Sequence, residues 1–269
     1  MHRIASGGLH STYSLGDLRI TSLRDGYVDM PLRRLRQPGN KPFGDELKDQ
    51  IPLFDGQLRL SVNAFAIDDG SAITLIDTGA SNAWHPTMGR LPEALVEAGI
   101  EAERVRTVMF THTHLDHIHG LVLADGREAF PRMTRLLVPE QELDLFRAVA
   151  RLERFHGKAE SFEAGERLET HVEAIGAHGH EVGHSCFRVS SSGERLLVWG
   201  DTVHVPSLQF YRPELTWEFD EDQDQARESR LRLLALASDD DYFIAGAHLD
   251  SPGVGRVARS NGSFRFEPL

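Results

Sequence analysis

The chain has 269 residues, 40% hydrophobic and 26% charged, which is enough for a full core in one generous domain and is not the composition of a disordered chain. A net charge of −12 disfavours binding to a phosphate backbone, and a single cysteine, Cys186, excludes an intrachain disulfide or a cysteine-built zinc cage. No apolar run approaches the ~20 residues of a membrane span, and Met1 to Ser14 lacks the pattern of a secretory signal, so the expectation is a cytoplasmic protein with no membrane and no nucleic-acid partner.

Residues 1–57 read as a loop-rich extension. Within it, Leu18 to Leu23 alternates like a half-buried strand, and Asp25-Gly26 follows as a turn. Pro31 to Phe54 holds four prolines and many charges, the composition of a long surface excursion beside a site. From residue 58 a strand and helix rhythm begins. Leu60 to Ile67 is a strand, Asp69-Gly70 a turn, and Ala72 to Ile76 a buried strand ending at Asp77-Thr78-Gly79. Met88 to Ala98 fits a helix stopped by Gly99. Val105 to Phe110 is a strand, followed at once by Thr111-His112-Thr113-His114-Leu115-Asp116-His117.

The second half has the same plan. Arg135 to Val138 is a strand, and Pro139 opens a helix running to about Phe155, with Leu143, Phe146, Val149 and Leu152 at helical spacing. Val172 to Ile175 and Ser185 to Ser190 are strands, the second paired with Arg195 to Trp199 across Ser192-Gly193. Asp224 to Ala237 is a helix, and Tyr242 to Ala245 a strand that stops at Gly246-Ala247-His248. No linker interrupts this order, so the expectation is one layered α/β domain over residues 1–269.

Histidine is the outlier, with 14 residues, about twice ordinary usage, so the question is whether they cluster. They do. His112, His114 and His117 fall within six residues, with Asp116 among them, just past a strand end where α/β folds carry sites. Alternate residues of an extended stretch point the same way, so His112 and His114 can share one ion. Asp116 and His117 follow a turn of the chain and can face a second. Imidazole and carboxylate are ligands for zinc and similar metals. His180, Asp201 and His248 each sit just after a strand, and together the seven fit one dinuclear centre.

These motifs resemble the metallo-β-lactamase fold hydrolases. The matching residues are Leu75-Ile76-Asp77-Thr78-Gly79, Thr111 to His117, Gly179-His180 with Gly183-His184, Gly200-Asp201, and Gly246-Ala247-His248. Ser61 to Phe65, Val203 to Phe210 and Pro252 to Gly255 further resemble the branch containing methyl parathion hydrolase and related lactonases. The resemblance implies a four-layer αββα sandwich. It puts His112, His114 and His180 on one metal, Asp116, His117 and His248 on the other, and Asp201 between them. It gives Asp77 the task of orienting the metal loop and His184 a structural one. His204 is a candidate pocket residue, His119 and His178 are candidate donors to carboxylates, and Cys186 is expected to be a buried, inert thiol. The chain departs from the branch at Ala177-His178, at His119 and around Asp250, all of which bear on the pocket rather than on the ligands.

Two divalent ions, zinc foremost with iron, manganese or cobalt as alternatives, bring a bridging hydroxide toward neutral pKa for attack on a carbonyl carbon or phosphorus. The expected activity is therefore hydrolysis of a lactone, ester or organophosphate, with Asp116 and Asp201 as the catalytic carboxylates and a small-molecule substrate; the family resemblance implies a homodimer. The alternatives are β-lactam or thioester hydrolysis on the same centre, or a mononuclear iron dioxygenase.

Overall fold

The computed structural model describes residues 1–43 and 51–269. Two sheets face each other. The first has eight strands, arranged in chain order: His2–Ser6, His10–Leu15, Leu18–Met30, Leu58–Asp68, Ile73–Ile76, Val105–Met109, Arg135–Pro139 and Ala159–Phe162. Its first five strands pair antiparallel, and from Ile73–Ile76 onward the pairing is parallel. The second sheet has seven: Arg167–Glu169, Val172–Gly176, Ser185–Ser191, Glu194–Val198, Phe243–Ala245, Val254–Ser260 and Ser263–Pro268. Only Glu194–Val198 against Phe243–Ala245 is parallel there, the return being made by the helix Gln223–Asp239.

Alternation places the apolar side chains. Tyr13, Ile20, Phe65, Ile67, Ile76 and Met109 from the first sheet meet Val172, Phe187, Val189, Leu196 and Val198 from the second in the central core. The opposite face of the first sheet buries Leu75, Val108 and Leu136 under the helix Leu91–Glu97 and the segment around Phe146 and Phe155. The opposite face of the second buries Leu197 and Ile244 under Leu233, Leu234 and Ala237 of the long helix. The layers are thus helix, sheet, sheet, helix, the expected αββα sandwich.

Three expectations need correction. Residues 2–30 are strands of the first sheet, so the loop-rich extension expected over 1–57 does not hold there. Part of the Pro31 to Phe54 excursion is also paired, since Leu35–Gln37 joins Lys41–Pro42 on one side and Thr216–Trp217 on the other; residues 44–50 of it lie outside the described residues. Finally, the single helix expected from Pro139 to about Phe155 is two short helices, Leu143–Ala148 and Glu153–His156, with 3-10 turns between and before them. Val149 breaks it with an extended ψ of 100°, and Glu142 is drawn inward to other partners. The hairpin turn at Ser192-Gly193 is as expected, with both residues at positive φ.

Candidate metal centre

Five strand ends build the site. Ile73–Ile76 ends at Asp77, Val105–Met109 leads to His112, and Val172–Gly176 leads to the loop carrying His180. Glu194–Val198 leads to Asp201, and Phe243–Ala245 leads to His248. The segments that follow strand ends in both sheets therefore bring all seven expected ligands together at one rim of the sandwich.

There the donor atoms converge. His112, His114, His180 and Asp201 each bring one donor atom to within 4.8 Å of the others, and so do Asp116, His117 and His248. His180 Nε2 lies 3.1 Å from His114 Nδ1 and 3.3 Å from Asp201 Oδ2, which is itself 3.0 Å from His248 Nε2. His117 Nε2 lies 3.2 Å from Asp201 Oδ1. Asp201 therefore stands between the two groups.

The donor set fits bound cations on its own chemistry. His112 Nε2, His117 Nε2, Asp116 Oδ2 and Asp201 Oδ1 are buried and have no hydrogen-bond partner among the described residues. Buried polar atoms are normally satisfied, and four unpaired donors gathered in one place fit bound cations. Meanwhile the outward ring nitrogens are held. His117 Nδ1 donates to Asp77 Oδ2 at 2.8 Å, His180 Nδ1 to Asp220 Oδ1 at 2.8 Å, and His248 Nδ1 to the Ser61 carbonyl at 2.7 Å. Each such bond fixes a tautomer with its lone pair turned to the centre.

Local structure explains this placement. Asp77 adopts a left-handed φ of 59°, and its carboxylate accepts the Thr111 N–H and hydroxyl, each at 2.9 Å, clamping the start of the histidine string. Gly200 has φ 54°, and a Cβ there would sit 2.7 Å from His184 Nε2 and 2.9 Å from Thr111 Cβ, so glycine is required just before Asp201. Asn63 donates to the carbonyls of Ala247 and Leu249, both at 3.0 Å, holding the loop around His248.

Burial and charge set the protonation pattern of this chain. Burial pushes the His180 ring down, but hydrogen bonds to Asp201 and Asp220 outweigh it and lift the group to about 10. Burial also works against His117 and His248, and Asp201 overcomes it in both, raising them. His112 is held well below its ordinary value by burial and by the neighbouring His117.

His184 has both nitrogens occupied, by the Ala177 carbonyl at 2.9 Å and the Asp201 N–H at 3.1 Å, and so braces the Asp201 turn. His204 does line the cleft; its Nε2 is 3.3 Å from Asp201 Oδ2, and its ring stacks between Trp217 and His248 at 5.0 and 5.1 Å. Burial pushes it down to about 4. For His119 and His178 the expected carboxylate contact is not made through Nδ1, which in each is buried without a partner among the described residues. Asp250 does not line the cleft. Cys186 is buried, and burial pushes its thiol up to about 12, as an inert thiol should be.

Sequence reasoning missed three acids. Asp220 holds His180, Glu181 lies 2.6 Å from His114 Nε2, and the buried Glu142 accepts from Thr113 and Gly183. Asp220 was hidden in an acidic run from Glu218 to Asp224, while Glu181 stood beside His180 as a signal that could have been used.

The cleft over the centre has a volume of about 180 Å³. Its walls are Met30, Leu60, Trp84, Leu115, Trp217 and Phe219, with no Lys or Arg among the described residues that line it. A larger cavity of about 530 Å³ lies elsewhere, beside Leu91, Leu95 and Phe130, away from the histidines.

Histidines and carboxylates gathered at the strand ends of a four-layer sandwich define a metallohydrolase architecture. The chain matches the family model of the metallo-beta-lactamase superfamily over residues 58–248. It belongs to that superfamily, as a metal-dependent hydrolase. Among solved structures it is similar to a hydrolase named AbOPH in the beta-lactamase superfamily, at 26% identity and TM-score 0.87, covering 98% of this chain and 99% of that one. It is also similar in fold to AidC, described as a dizinc quorum-quenching lactonase in complex with a product, at 22% identity and TM-score 0.83, covering 97% of each chain. A probable metal-dependent hydrolase from Staphylococcus aureus shares the fold at 18% identity and TM-score 0.76, covering 96% and 99%. No curated protein matches the chain by sequence. No helix among the described residues is long and apolar enough to cross a membrane.

Proposed function

We propose that the chain hydrolyses an uncharged ester-type substrate (a lactone, carboxylic ester or organophosphate) at a dinuclear metal centre. The observation that carries this reading is the convergence of four buried donor atoms, unpaired among the described residues, beneath a cleft walled by apolar side chains with no Lys or Arg among its described lining. His112, His114 and His180 would hold one ion, and Asp116, His117 and His248 the other, with Asp201 standing between the two groups. When bound, two divalent ions of the zinc class supply an activated water nucleophile near neutral pH and stabilise charge on the attacking and leaving oxygens.

The chain's own residues do the rest. Asp77, Asp220 and the Ser61 carbonyl keep three ligand rings in the productive tautomer. Asp116, whose Oδ2 is unpartnered and which lines the cleft, is placed to pass a proton to the departing oxygen. His204 meets the substrate as a neutral ring at pH 7. Trp217, Leu60 and Met30 exclude water and bury an apolar substituent. A substrate carboxylate or phosphate remote from the metals, as a β-lactam or a coenzyme thioester carries, finds no Lys or Arg to pair with among the described lining residues. The relatives' lactonase chemistry supports the same reading.

The test is metal analysis of the purified chain together with hydrolysis of a lactone, an aryl ester, a phosphotriester and a β-lactam. Two ions per chain are expected, with turnover of one or more of the first three, and loss of that turnover in His112→Ala and Asp201→Ala. Full activity in either variant, or one ion with oxygen consumption, sinks the reading. The homodimer implied by the family resemblance is tested by light scattering on the same sample.

A further inference from the structure

His114 is the odd ligand. Its side chain is 35% exposed, whereas those of His112, His117, His180 and His248 are 0 to 4% exposed. Its ring packs edge-on against those of His112 and His180 at 4.7 and 4.8 Å, and its other side is open to solvent. Its Nδ1 faces the centre, 3.1 Å from His180 Nε2. Its opposite nitrogen, Nε2, lies 2.6 Å from Glu181 Oε1.

We infer that Glu181 is a positioning residue for the metal centre: it accepts the His114 Nε2–H and so fixes the tautomer that leaves the Nδ1 lone pair free for an ion. The inference rests on the dinuclear reading above. A ring nitrogen can offer its lone pair to a metal only when the proton sits on the other nitrogen, and a carboxylate there holds it in place.

The local build gives Glu181 the rigidity this needs. Its side chain is only 17% exposed. Its carbonyl accepts the N–H of Gly179 at 3.2 Å and of His184 at 3.1 Å, closing the turn that carries His180. Glu142, fully buried below, accepts the Thr113 N–H at 2.5 Å, the Thr113 hydroxyl at 2.7 Å and the Gly183 N–H at 3.1 Å. The loop bearing His114 and the loop bearing His180 are thereby fastened to a common brace, and Glu181 makes the link between them at the ligand itself. One residue thus serves both histidines, closing the turn of one and orienting the ring of the other.

The test is zinc binding rather than turnover. Metal-free wild type, Glu181→Ala, Glu181→Asp and Glu181→Gln are titrated with zinc against a chromophoric chelator, and the metal-free forms are melted in parallel. Wild type is expected to take two zinc ions per chain. In Glu181→Ala one of the two should bind about 10- to 100-fold more weakly, the usual cost of losing such a partner. Glu181→Asp, too short to reach Nε2, should behave like alanine. Glu181→Gln, whose amide oxygen can still accept the proton, should recover most of the affinity. The metal-free melting points should stay close together. Equal zinc affinity in wild type and Glu181→Ala overturns this inference while leaving the dinuclear centre intact, as does an effect confined to melting. A wild type that takes up no zinc overturns the centre and the inference together.

Discussion

Nδ1 of His180 donates to Oδ1 of Asp220 at 2.8 Å, and both side chains are buried. Behind that carboxylate stands Arg230, also buried, 3.8 Å from Asp220 Oδ2. Arg230 donates in addition to the carbonyls of Thr202, next to Asp201, and Leu215, next to the strand carrying Trp217. The long helix is therefore wired to a ligand histidine, to the Asp201 turn and to the cleft wall. A buried charge group of this kind is stable only while every member keeps its partners.

Asp220→Asn keeps the volume and an acceptor for His180, but leaves Arg230 without its counter-charge. Zinc affinity should fall by roughly 10- to 100-fold, and the melting temperature should drop as well. Chelator competition and thermal unfolding measure the two effects. Unchanged zinc affinity would show that Asp220 only supports the fold.

Much of this was legible beforehand. The inner strands announced themselves as short apolar runs, because strands covered on both faces have no polar side to show. The candidate ligands were legible because they follow where such runs stop, either directly or within the histidine string after Met109. Asp220 was not, since nothing local separates it from Glu218, Glu221 and Asp222, and only the fold brings it under His180. The strand His2–Ser6 was missed because all five residues are exposed, so it carries no alternating pattern. The broken helix after Pro139 was missed because Leu143, Phe146, Val149 and Leu152 keep helical spacing across the kink at Val149.

Gly200→Ala should damage the centre without touching a ligand. The residue holds φ 54°, and a Cβ would press on His184 Nε2 and on Thr111. Backbone strain of this kind costs about 1–3 kcal/mol, and relieving it moves Asp201. Metal content per chain and turnover are expected to fall more than tenfold in substance, as a rough estimate for a misplaced reacting group. Retention of two ions with wild-type melting would mean that the turn at Gly200 yields freely.

Trp217 and Phe219 should separate pocket from centre. Trp217 is buried and stacks on His204 at an interplanar angle of 11°, whereas Phe219 is 45% exposed at the mouth. Trp217→Ala is expected to lower kcat/KM for substrates with large apolar substituents by about 10-fold or more, as the loss of a buried aromatic contact of ~1.5–3 kcal/mol implies. Phe219→Ala should cost less, and metal content should be unchanged in both. Equal losses for large and small substituents would place the substrate elsewhere.

Ion uptake should expel protons. In the metal-free chain His180 is lifted to about 10, the hydrogen bonds to Asp201 and Asp220 outweighing burial, so its ring is charged at pH 7. An ion needs the neutral ring, and binding at Nε2 must release that proton. Affinity for zinc is therefore expected to rise with pH. The stability of the metal-free chain runs the other way. A histidine whose folded pKa exceeds its unfolded 6.5 contributes stability that is complete below pH 6.5 and is lost as pH rises through about 10. Zinc titration calorimetry in two buffers of different ionisation enthalpy reads the first effect, and metal-free melting from pH 6.5 to 10 reads the second. In Asp220→Asn both slopes should shrink, because one of the two carboxylate charges that lift His180 has been removed. A binding enthalpy independent of the buffer would show that His180 enters the reaction already neutral, and the charge pattern assigned to this cluster would then be wrong.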